Sequence, residues 1–119
     1  MKPDLSSVTK KMLDLSTGHI TQSDSLLLEE YAKDCKPFVR LVAATKQHSP
    51  IMVCDYHYGY HIFAPDKTRW KDEAKAQMRK DGASKALLNI LSLCVEQGFA
   101  MLCLDRDGDL IDDLPRFDW

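Results

Sequence analysis

The sequence predicts an α+β fold: one small domain in which about four mostly antiparallel strands pack with three to four helices. Three observations carry this. Strand-like runs recur, alternating at 12–16, β-rich at 51–56 and 60–64 and apolar on both faces at 99–104, stretches with helical apolar spacing separate them, and 119 residues suffice for a single domain with a proper core.

In chain order, the first eleven residues carry three lysines and two serines and read as a loose N-terminal arm. Met12-Leu13-Asp14-Leu15-Ser16 alternates as a short strand, and Thr17-Gly18-His19 follows as a turn. Thr21 with Asp24 three residues on predicts a capping box opening a helix to about Asp34, its buried stripe being Leu27, Leu28, Tyr31 and Ala32. Residues 37–47 fit both helical spacing (Phe38, Leu41, Val42, Thr45) and strand alternation (Val39, Leu41, Ala43); helix is the preferred reading. The runs 51–56 and 60–64 flank His57-Tyr58-Gly59 as a hairpin, with Gly59 expected to supply a positive φ. Pro65-Asp66 predicts a helix over 68–81 with the thin stripe Trp70, Ala74 and Met78. Ser84 caps a helix over 85–97 that is apolar nearly all round, and Gly98 ends it. Phe99 to Leu104 is apolar on both faces, the pattern of a central covered strand.

Composition excludes several classes. Sixteen basic against eighteen acidic residues, a net of −2, exclude a generally basic nucleic-acid coat, so direct nucleic-acid binding is not expected. No apolar run approaches the roughly 18 residues of a membrane span, and the opening residues lack the apolar stretch of a secretory signal. The four cysteines form no C-x-x-C pair and read as reduced thiols packing like small hydrophobes, which points to the cytoplasm.

Three constellations stand out. Asp105, Asp107 and Asp109, followed by Asp112 and Asp113, place carboxylates at alternate positions, yet an EF-hand counted from Asp105 would need glycine and glutamate where Leu110 and Arg116 stand. Such aspartates could hold magnesium for phosphoryl transfer, although Asp and Gly are the ordinary residues of a turn. The hairpin tip holds Tyr56, His57, Tyr58, Tyr60 and His61, amphipathic rings of the kind that binding hot spots use, against a simpler reading as cross-strand packing. Cys54, His57 and His61 could be read as zinc ligands, but their spacing crosses the turn and no fourth ligand accompanies them. The basic helical segment 66–85 has seven Lys/Arg against four acids, a mild excess better read as a solvated face around Trp70. The terminal Leu114-Pro115-Arg116-Phe117-Asp118-Trp119 carries a large apolar load and is expected to fold back and pack Phe117 or Trp119 against the body.

Leu13-Asp14-Leu15-Ser16-Thr17-Gly18-His19-Ile20, Tyr58-Gly59-Tyr60, Leu104-Asp105-Arg106-Asp107-Gly108 and the terminal Leu-Pro-x-Phe-Asp-Trp together resemble a family of short bacterial proteins, domain of unknown function 5983. Residues 37–49 and the basic helix look like departures from it. The resemblance implies the company of plasmids, prophages and integrated elements, and no reaction. The expected function is therefore a small non-enzymatic cytoplasmic protein that binds a host or element-encoded protein, as a regulatory inhibitor or in counter-defence. Its contact residues are Tyr56, His57, Tyr58, Tyr60, His61, Asp105, Asp107 and Asp109; no catalytic residue, metal or cofactor is assigned. The hairpin edge also allows a homodimer. The alternative is a metal-assisted phosphoester or nucleic-acid hydrolase, with Asp105 and Asp107 as ligands and His57 or His19 as base.

Overall fold

The computed structural model describes residues 2–35 and 49–119; the ambiguous stretch 37–47 lies outside the described residues. Four strands, β1 (Lys11–Ser16), β2 (Met52–Tyr56), β3 (Gly59–Phe63) and β4 (Phe99–Asp105), form one sheet in the order β1-β4-β3-β2. The hairpin β2–β3 and the β3–β4 pair are antiparallel, while β1 runs parallel to β4. The sheet is thus mixed rather than mostly antiparallel. The reason is positional: β1 and β4 are joined through all the intervening elements, and such long connections can bring a strand in parallel.

Helix α1 (Gln22–Ala32) begins at the expected capping box, Thr21 and Asp24 each accepting from the other's backbone N–H at 3.0 Å. Asp24 is fully buried and also accepts from the Ser84 N–H at 2.9 Å, joining the start of α1 to the cap of a later helix. That later helix is α3 (Lys85–Glu96), which buries Leu87, Leu88, Ile90, Leu91, Cys94 and Val95. Between the hairpin and α3 runs α2, residues 67–80, a turn of α-helix (Lys67–Arg69), a π-helical stretch (Trp70–Ala74) and an α-helical end (Lys75–Lys80). The predicted stripe of Trp70, Ala74 and Met78 is buried, and the widened turn starts at Trp70, whose indole N–H donates to Ser92 Oγ at 3.1 Å. With Leu15, Ile62, Leu102 and Leu104 from the sheet, these helices build a single core.

The side of the sheet turned away from that core carries a cross-strand row of Met12, Met101, Phe63 and Met52, of which Met12, Met52 and Phe63 are exposed. Cys54 lies half-buried on the same side and is disulfide-bonded, whereas Cys94 and Cys103 are free and buried. The expectation of reduced thiols is corrected at Cys54, because a half-exposed sulfur on an open sheet face is not a core-packing group; with it goes part of the cysteine argument for the cytoplasm. Among the described residues, no helix is long and apolar enough to cross a membrane.

A candidate binding cleft

The hairpin tip is held by close backbone approach. The strands meet through the two-residue loop His57–Tyr58, and Gly59 belongs to β3. Positive φ occurs at Gly82 and Gly98, so the expectation for Gly59 is corrected. Glycine is required there for space: a Cβ on Gly59 would lie 1.8 Å from the Leu104 carbonyl oxygen. The tip is therefore pressed onto the end of β4, where the Arg106 N–H donates to Tyr58 O at 3.0 Å. The Arg106 guanidinium stands 4.9 Å over the Tyr58 ring, and His57 meets that ring edge-on at 4.6 Å.

Tyr56 stacks on His61 at 4.6 Å and donates its hydroxyl proton to Asp105 Oδ2 at 2.6 Å, with Cys103 Sγ 3.4 Å away. Desolvation and the hydrogen bond to Asp105 raise the Tyr56 hydroxyl well above its usual pKa. The same hydrogen bond, with a second from the Asp107 N–H to Asp105 Oδ1 at 2.8 Å, lowers the Asp105 carboxyl. Both Asp105 oxygens are thus engaged, Oδ1 in closing the 105–107 turn and Oδ2 in holding Tyr56. On the core side, Tyr60 is buried. Its hydroxyl pairs with Ser25 Oγ at 2.7 Å, lies 3.1 Å from Ser25 O and 3.4 Å from Glu29 Oε1, and burial raises its pKa.

The third wall is the C-terminal tail, and His19 holds it. This histidine is fully buried, accepts from the Ile111 N–H at Nε2 (2.9 Å) and meets the Pro115 carbonyl at Nδ1 (2.7 Å). A backbone N–H can only donate and a carbonyl only accept, so the ring is the neutral Nδ1–H tautomer with both nitrogens occupied. It cannot serve as the free base of the hydrolase alternative. Beyond it, Phe117 N–H donates to Gly18 O at 2.7 Å and the Trp119 indole N–H to Ile20 O at 2.9 Å. The tail does fold back, but the apolar group it packs against the core is Leu114; Phe117 and Trp119 stay 37% and 52% exposed. Hydrogen bonds from the tail's backbone and indole, rather than ring burial, hold it.

Between hairpin tip, α1 and tail lies an open cleft of about 620 Å³. Tyr56, Tyr58, Phe117 and Trp119 supply rings to it, Ser16, Ser25 and Tyr60 are its buried polar members, and Glu29, Asp55, Asp118 and Arg106 are its charged ones. Of the sequence-predicted contact residues, Tyr56, His57, Tyr58 and Tyr60 line the cleft, while His61, Asp105, Asp107 and Asp109 do not. Ser25, Glu29, Arg106, Phe117 and Trp119 were not foreseen as neighbours of the hairpin. Only the apolar load of the tail hinted at any of them. Among the described residues, no group of three or more His, Cys, Asp or Glu side chains is placed to hold a metal ion.

No curated protein matches this sequence, and no solved structure matches this fold. A sequence profile for the C-terminal domain of a family of unknown function (DUF5983) matches residues 12–119, from β1 through the tail. With nearly the whole chain matched, the protein belongs to that family.

Proposed function

We propose that the protein acts by binding another protein, host or element-encoded, through the cleft between hairpin tip and tail. One observation carries this reading: the exposed rings of Tyr58, Phe117 and Trp119, drawn from the mid-sequence hairpin and from the tail, border one cleft. Large amphipathic rings around a concave, partly polar surface are what protein-contact hot spots use. The rings are also held in advance, by Arg106 on one wall and by the Gly18 and Ile20 carbonyls on the other, which lowers the ordering cost of association. A regulatory or counter-defence role on a mobile element rests on the family resemblance alone. The setting we propose is the cytoplasm, supported by the free thiols of Cys94 and Cys103 and opposed by the Cys54 disulfide; labelling the cysteines in freshly opened cells decides it.

The test is a photo-crosslinking amino acid at position 58, used in the native host. The expected result is one specific protein adduct, lost when Trp119→Ala is added. Turnover of a phosphoester stimulated by magnesium or manganese, with no adduct, would replace this reading by the hydrolase.

A further inference from the structure

We infer that the cleft receives a cation, an arginine side chain of an extended basic segment on the partner; this rests on the protein-binding reading above. The cleft brings three carboxylates, Glu29, Asp55 and Asp118, to one opening against a single guanidinium, Arg106. None of the three is in an ion pair among the described residues, where the pairs are Lys33–Glu30 and Arg116–Asp112. Glu29 and Asp55 flank Tyr60, Glu29 Oε1 lying 3.4 Å from its hydroxyl and Asp55 standing directly opposite it across the hairpin. Both carboxylates are exposed, so their negative field acts at the mouth of the cleft, in front of the buried Ser25–Tyr60 pair.

The rings indicate which cation fits. Arg106 over the Tyr58 ring shows one face of this site already accepting a guanidinium. Phe117 and Trp119 offer further ring surface in the same cleft, their backbone N–H and indole N–H tied to the 18–20 turn. Guanidinium suits such a place better than ammonium, since it is planar, stacks on aromatic faces, is more weakly hydrated and bridges two carboxylate oxygens at once. An anionic or purely apolar guest would leave Glu29 and Asp55 facing it without compensation.

The probes are end-blocked, fluorescein-labelled tetra-arginine, tetra-lysine and tetra-glutamate peptides, read by anisotropy on the full chain. Tetra-arginine is expected to bind more tightly than tetra-lysine, tetra-glutamate not at all, with affinity falling as salt rises. The exposed pair Glu29→Gln/Asp55→Asn should weaken tetra-arginine binding about tenfold or more, as loss of charge-assisted contacts implies. An acid pair away from the cleft, Asp72→Asn/Glu73→Gln, should leave it unchanged. Unchanged melting temperatures keep folding out of the comparison. Equal loss in both pairs, or no preference for arginine, would overturn the inference as diffuse charge. If the position-58 adduct survives Glu29→Gln/Asp55→Asn, the cation site falls and the protein-binding reading stands; if the adduct never forms, that reading falls first.

Discussion

Replacing His19 by alanine tests how the tail wall is built. The ring is fully buried and makes two hydrogen bonds, from the Ile111 N–H and to Pro115 O. Losing the Pro115 bond costs about 1 kcal/mol net, and stranding the Ile111 N–H over the vacated imidazole site costs about 2 kcal/mol. The space left by the imidazole adds about 1 kcal/mol more. The sum, about 4 kcal/mol, is a large part of a small domain's stability. For a chain of this size, each kcal/mol lowers Tm by about 3–5 °C, so His19→Ala should melt about 15 °C earlier in circular dichroism scans. Hydrogen exchange at Ile111 supplies a local readout: its amide should be slow in the parent and fast in the variant. A tail deletion, Δ114–119, removes the Pro115 partner. His19→Ala should then cost about 1 kcal/mol less in the deleted chain than in the full one. A Tm within about 3 °C of the parent with the Ile111 amide still protected would refute the clip as the tail's anchor.

Gly59→Ala should cost about 4 kcal/mol or more, or abolish soluble expression, because its Cβ would meet the Leu104 carbonyl at 1.8 Å and the hairpin tip would have to lift; a parent-like melt would show that β4 yields instead. Tyr56→Phe should raise the Asp105 carboxyl part of the way back, the Asp107 N–H still holding it down, as read by carboxyl NMR titration. The sign follows from linkage: a carboxyl lowered in the folded state stabilises above its unfolded pKa and loses that contribution as pH falls through the folded one, so Tyr56→Phe should lessen the protein's loss of stability on acidification, and an unmoved Asp105 would disprove the coupling. Burial pushes the Cys94 thiol up to about 11, so iodoacetamide at pH 8 should spare it in the native protein and modify it in guanidinium, whereas alkylation at the rate of a free thiol would contradict its burial.

Local signals in the sequence were read with most success. Thr21 with Asp24, Ser84 and Gly98 mark helix ends whose chemistry lies within a few residues, and each acts as its type predicts. The β-rich runs flanking His57-Tyr58-Gly59 likewise identified the hairpin. What the pattern does not encode is which distant segments meet. Parallel pairing of β1 with β4 depends on the path of everything between them, and no spacing within either strand announces it. Gly59 shows the same boundary: glycine at a hairpin suggests conformational freedom, yet its need here comes from a carbonyl on β4. The cleft was half legible. Its tyrosines cluster in sequence, but Glu29 reaches it from α1 and Trp119 from the tail. His19, read as a turn residue, proved to be the tail's anchor through two backbone groups almost a hundred positions away.

The position of β4 has a consequence for how the molecule comes into being. It is the last strand to be synthesised, yet it sits inside the sheet, paired on one side with the first strand and on the other with the hairpin. Until residues 99–105 are available, β1 has no partner and β2–β3 is an isolated hairpin, which is marginal alone. Closing so long a loop before its contacts reward it is slow, so the rate-limiting event should come late, when β4 docks between β1 and β3. A product cut short before β4 would keep helices without a sheet to cover, and such exposed apolar surface marks a chain for aggregation or proteolysis. The topology thus makes synthesis of β4 a condition for forming the sheet, and the cleft, which needs residues 117–119, cannot be assembled before them.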